Sequence, residues 1–246
     1  MKTHRRFFLL GGAGALISLG FLQRLALAAE NETPGLPDAI AGIRLPLSGT
    51  AAAAASLARA ACPPFLFYHS VRTYVFGALL AKLRGVEFDQ EAIFIASCLH
   101  DLGLLERYQS ADEPFELDGA QAAREFLASR GVDPKKIELI CEAIAYHTSP
   151  LASLRPPQVS LVGVGAGADV FGSGLSTLPP GRIDEVVSAL PRMNFKSEFR
   201  RSLIAYCTKK PRAQVGTWTD AFCRSHVPDY HFPSIDERLA NSPFAQ

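Results

Sequence analysis

The sequence predicts an all-α protein: one helical domain built around a metal site and preceded by an export signal. Three observations predict this. From Thr50 onward apolar residues recur at intervals of three and four through most of the chain. No alternating strand pattern occurs twice, so no sheet can be paired, and no repeat period is present. Finally, Glu91 to Leu99 (EAIFIASCL) is nearly all apolar and long enough for one buried helix, and it ends on His100-Asp101. Two ionisable side chains at the end of a buried helix must find compensating partners, and a metal ion is the obvious one.

The first 28 residues combine Arg5-Arg6, an apolar core from Phe7 to Leu22, and Ala26 and Ala28 spaced as in an A-x-A cleavage site. That is an export signal over residues 1–28. The paired arginines followed by Phe-Phe-Leu-Leu resemble a twin-arginine signal, a route that carries folded proteins, and so predict a periplasmic location. The apolar core contains glycines and is closed by Arg24, short of the about 20 apolar residues of a spanning helix. No stable membrane span is therefore expected after cleavage. Residues 29–49, with their Pro and Gly, read as a flexible linker.

The domain then runs over residues 50–225. Thr50 to Ala61 is alanine-rich and breaks at Pro63-Pro64; Phe65 to Arg84 follows and stops at Gly85. Helices are predicted next over Asp89 to His100, Gly119 to Arg130 and Pro134 to His147, the last bounded by Gly131 and opened by Pro134. Leu161 to Phe171 is apolar but rich in Gly and Val, which also suits a strand; helix is preferred, because no partner strand exists. Ile183 to Leu190, Phe195 to Cys207 and Thr217 to Arg224 complete the set, and residues 226–246 read as a tail.

A net charge of +1 and the lack of a basic run outside the signal argue against a nucleic-acid partner; Lys209-Lys210-Pro211-Arg212 reads as a solvated turn. The cysteines are Cys62, Cys98, Cys141, Cys207 and Cys223. An odd count leaves at least one unpaired or bonded between chains, no C-x-x-C occurs, and no spacing selects a pair. Cys98 and Cys141 lie in apolar helical runs and read as core residues.

His69, in FYHSVRTYVFG, carries Arg72 and Thr73 on its own helix face. Asp169 sits in GAGADVFG, a carboxylate in a small-residue helix that neighbours can approach closely. A lone histidine is more often a hydrogen-bonded core residue than a ligand. Four ligand-type side chains from three apolar helices, His69, His100, Asp101 and Asp169, jointly point to a bound divalent metal. Such donors suit zinc, iron and manganese alike, with zinc the first expectation.

The order His, then His-Asp, then a distant Asp, all on helices, resembles the HD-domain metalloprotein superfamily. More narrowly, HSVRTYVFG, CLHDLG, FELDGA, EAIAYHTSP and the PR-x-x-F-x-x-x-F run from Pro191 to Phe199 are similar to the cyanamide hydratase branch. The resemblance covers about Thr50 to Phe222. It implies hydration of a small nitrile-like substrate, cyanamide to urea, by a metal-activated water; the alternative is a metal-dependent phosphohydrolase of the same superfamily. Many of those phosphohydrolases carry an ionisable residue three positions after the His-Asp pair, where this chain has Leu104, which tilts the reading toward a weakly charged substrate. Dinuclear relatives add two histidines between the pair and the last Asp, whereas only His147 stands there, so one metal is expected.

His147 is the expected acid-base or substrate-orienting group, in the first role protonating the nitrile nitrogen as an imidazolium; its structural alternative is a cation at a helix C-terminus. Leu104, Phe115 and Asp118 are expected to line the pocket. Arg72 is expected either to bind substrate by clamping a phosphate, in the phosphohydrolase alternative, or to hold Asp118 or Glu116 in an ion pair. Phe115, Phe171 and Trp218 could shape a pocket, although aromatics at helical spacing are more often core. The partner is a small molecule; the sequence says nothing of oligomeric state.

Overall fold

The computed structural model describes residues 35–47 and 49–244. The predicted signal (1–28) and the start of the predicted linker lie outside the described residues. From Pro37 onward the chain is one compact unit, and it is largely helical.

Its axis is α2 (Pro64–Leu83), which follows α1 (Gly49–Ala61). Pro63 is extended and Pro64 opens the helix, where a missing N–H costs nothing. α2 is buried from Phe65 to Ala81, including His69, Ser70, Arg72 and Thr73. A helix apolar on every face needs neighbours on every face. These are α3 (Gln90–Leu99), α6 (Pro157–Phe171) and α8 (Phe195–Lys209). α6 makes the tightest contact because of its glycine: a Cβ added at Gly165 would fall 1.9 Å from the Thr73 carbonyl oxygen. The stretch from Leu161 to Phe171 is thus helical, and its small residues serve close approach.

α3 opens on Asp89, whose carboxylate accepts the Ala92 N–H at 2.9 Å, and ends at His100. α4 (Phe115–Ala128) and α5 (Pro134–Ala145) pack on each other; α7 (Arg182–Ala189), α9 (Asp220–His226) and α10 (Ile235–Ala240) are short. α4 begins four residues before the predicted start, directly after Pro114, with Glu116 and Asp118 in its first turn.

Two features differ from the sequence expectation, and a third settles a pairing that the sequence leaves open. Part of the predicted flexible linker is a hairpin, β1 (Ala39–Ile40) against β2 (Ile43–Arg44), turning through Ala41 and Gly42, both at positive φ. Its strands are too short to leave an alternating signature, yet Ile40, Ile43 and Leu45 are buried. Within the predicted tail, α10 forms behind a capping box of Ser234 and Glu237, and Tyr230 is buried. Finally, Cys207 and Cys223 form a disulfide with Cα atoms 5.8 Å apart, and Tyr230 packs on it; Cys62, Cys98 and Cys141 are free and buried. Among the described residues no helix is long and apolar enough to cross a membrane.

Candidate metal centre

α2 presents His69, the C-terminal cap of α3 presents His100, and the chain leaves the helix at Asp101. Asp101 is the hub. Its Oδ2 lies 3.5 Å from His69 Nε2 and 3.3 Å from His100 Nε2, and its Oδ1 lies 3.9 Å from His147 Nε2. All four side chains are buried. His147 stands two residues beyond α5, held against α6 at Gly163, where a Cβ would fall 2.4 Å from the His147 carbonyl oxygen.

The other nitrogen of each ring is already committed. His100 Nδ1 lies 2.7 Å from the Ser97 carbonyl oxygen and His147 Nδ1 2.6 Å from that of Ile144. A carbonyl only accepts, so both Nδ1 atoms carry the proton. His69 Nδ1 meets Asp169 Oδ2 at 2.7 Å. These bonds turn three Nε2 atoms toward one carboxylate, the arrangement that prepares histidines as metal ligands. His100 Nε2 and Asp101 Oδ2 are buried without a hydrogen-bond partner. Such orphans are costly unless a cation is shared between them. One donor atom each from His69, His100 and Asp101 lies within 4.8 Å of the others. The donor set therefore fits a divalent metal.

The protonation pattern follows from the same crowding. Burial pushes His69 down, and it pushes His147 down to about 3, reinforced there by its neighbour His100. Burial also opposes charge on His100 and Asp101, but their mutual attraction outweighs it, raising His100 and holding Asp101 well below the usual carboxylate range.

Not every predicted residue meets at this point. Asp169, expected as a ligand, stands behind His69. Its Oδ1 accepts from Arg72 Nε (2.8 Å) and an Arg192 N–H (2.6 Å), and its Oδ2 is shared by His69 and Arg72 (2.8 Å). Arg72, expected to reach substrate or pair with Asp118 or Glu116, is fully buried, binds Asp169 on one side, and donates to the Leu190 and Pro191 carbonyls at 3.1 and 2.9 Å on the other. Asp118, expected in the pocket, accepts from Lys210 Nζ at 2.6 Å and from the Ser110 N–H, so it ties α4 to the end of α8. Leu104 is buried in a 3-10 turn off the pocket wall.

The pocket itself holds about 300 Å³. His69, His100, Asp101 and His147 form one side; Phe115, Phe171, Phe199, Trp218, Val170, Thr148 and the glycine-rich face of α6 form the rest. Phe115, expected in the pocket, lies in this wall, as do Phe171 and Trp218. Among the described residues no lysine or arginine lines it.

Sequence reasoning named Glu116 only as a candidate partner of Arg72 and missed its contact with the pocket residues Thr148 and Trp218. Buried at the start of α4, its Oε1 accepts the Thr148 hydroxyl at 2.5 Å and the Trp218 indole N–H at 3.1 Å, and burial raises its pKa. Nothing in FELDGA distinguishes it from a surface glutamate; only its meeting with Thr148 and Trp218 does.

Residues 66–169 match the family model described as HD domain. No curated protein matches the chain.

Proposed function

Since the chain carries an HD domain over residues 66–169, and with it the framework of a metal-dependent hydrolase-type enzyme, we propose that it hydrates a small nitrile-like substrate, with cyanamide to urea as the type reaction. The carrying observation is a pocket wall without cationic side chains. A phosphate dianion needs cationic hydrogen-bond donors where it is desolvated. Here no described lysine or arginine lines the pocket, and Arg72 is committed to Asp169 and to backbone carbonyls. A neutral linear molecule loses little in entering such a space.

His69, His100 and Asp101 would hold one divalent metal, zinc in this proposal, with His147 beside them. A cation there supplies Lewis acidity and a water that ionises near neutral pH. His147 does the proton work in a form other than that expected from sequence. Burial keeps it a neutral imidazole whose Nδ1–H is fixed on the Ile144 carbonyl, so Nε2 is an acceptor facing the site. It takes the proton lost as the water oxygen bonds to the nitrile carbon, then returns it to the nitrogen on which negative charge grows. Asp169, itself gripped by Arg72, fixes the orientation of His69.

Elemental analysis of the purified protein, with urea release from cyanamide measured beside a panel of phosphomonoesters, tests the reading. Stoichiometric metal and urea release are expected. Turnover of phosphomonoesters without cyanamide would replace the hydratase by the phosphohydrolase.

Export through the twin-arginine route belongs to the same proposal and rests on residues outside those described. The Cys207–Cys223 disulfide supports an oxidising compartment. Changing Arg5 and Arg6 together to lysine keeps the charge, and should leave the precursor inside the cell; unchanged secretion would favour the ordinary secretory route.

A further inference from the structure

Cyanamide has three heavy atoms and takes the room of two or three waters, roughly 60–90 Å³ at about 30 Å³ each, in a pocket of about 300 Å³. A second cavity of about 280 Å³ adjoins it, between α6, α8 and α9. Val170, Phe171, Phe199 and Trp218 belong to the walls of both. Beyond them the groove is floored by Leu203 and Phe222. Phe171, which borders both cavities, is 72% exposed. The opposite wall is pinned: Trp218 donates to Glu116, and it lies inside the loop closed by Cys207–Cys223. At the rim stand Lys196 and Arg200, exposed and one turn apart on α8. Among the described residues neither makes an ion pair or a side-chain hydrogen bond.

We propose that this groove is the second half of the substrate site, and that the substrate carries its reactive head on an apolar chain or ring ending in an anionic group. The inference rests on the reading of the first pocket as the reactive centre. The head meets the histidines, the apolar body covers Phe171, Phe199 and Trp218, and the anion reaches Lys196 and Arg200. Continuity with the reactive pocket commits the groove to a substrate body rather than to another protein. The rim charges set the sign of its end.

Trp218 is the single tryptophan of the chain, so its fluorescence reads occupancy without any need for turnover. The full-length protein would be titrated with 4-phenylbutyrate and with the uncharged 4-phenylbutan-1-ol. A saturable change in emission with phenylbutyrate is expected. In the double variant Lys196→Glu, Arg200→Glu it should bind at least about tenfold more weakly, the scale of two reversed charges near the surface, while the alcohol is little affected. Phe171→Asp should weaken both probes. All three side chains are exposed, so the variants should fold, and thermal melts verify this. Absence of saturation, or binding unaltered in both variants, overturns the proposal. The cyanamide assay separates the two readings. Saturation without urea release keeps the groove and changes the reaction; urea release without saturation removes the groove alone.

Discussion

Asp169 shows how much a single buried carboxylate can do for the side chains around it. It takes charge-assisted hydrogen bonds from Arg72 and Arg192 and holds His69. Asp169→Asn should cost roughly 3–5 kcal/mol, because Arg72 is left buried with a weaker partner, and should lower metal affinity about 10–100-fold through His69. Denaturant titration and metal analysis test both; complete loss of metal at unchanged stability would make Asp169 a ligand instead. The pH dependence has a defined sign. Burial opposes ionisation of Asp169, but His69 and Arg72 overcome it and hold its pKa below the usual range. Its contribution to stability is thus present above the unfolded carboxylate value of about 3.9 and is lost as pH falls through the lower folded value. The asparagine variant should show a flatter acid limb in a stability–pH profile. His147→Gln should lower kcat by about 10²-fold or more while metal stays bound, as for loss of a proton-transfer group. Metal lost with it would place His147 among the ligands.

At the scale of elements, the crossing of α2 and α6 decides where the site can be. Gly165 lies against the Thr73 carbonyl, where a methyl group has no room, whereas a Cβ at Gly167 would meet nothing nearer than Ser173 at 3.8 Å. The two glycines differ by two positions on one helix and make a controlled pair. Gly165→Ala should destabilise by about 1–3 kcal/mol or more through forced separation of the helices, and should weaken metal binding because His69 and Asp169 face each other across that crossing. Gly167→Ala should stabilise by up to about 1 kcal/mol through helix propensity. Equal effects of the two on melting temperature would show that the crossing does not set the site.

For the whole molecule, the segment after α8 is part of the pocket rather than an appendage. The disulfide spans 16 residues and encloses Trp218. Cys223→Ser should cost about 3 kcal/mol in the chain-entropy account and shift Trp218 emission to the red as its wall loosens. A lower melting temperature with unchanged emission would confine the disulfide to a stabilising role.

Helical class is legible in the chain alone, because three-and-four periodicity is written locally and needs no partner to be recognised. So is the heart of the site: His69, His100 and Asp101 stand out because a ligand-type side chain inside an apolar helix is costly until a partner compensates it. The pairings, in contrast, come into being only when the helices pack. Asp169 carries the same chemistry as Asp101, and nothing local tells which of them two arginines will claim; Arg192 lies 23 positions away from Asp169 and Arg72 97. The Cys207–Cys223 bond, the hairpin at Ala39–Arg44 and the meeting of Glu116 with Thr148 and Trp218 are of the same kind. Each depends on proximity across the fold, which is set by how whole helices pack and which no window of residues encodes.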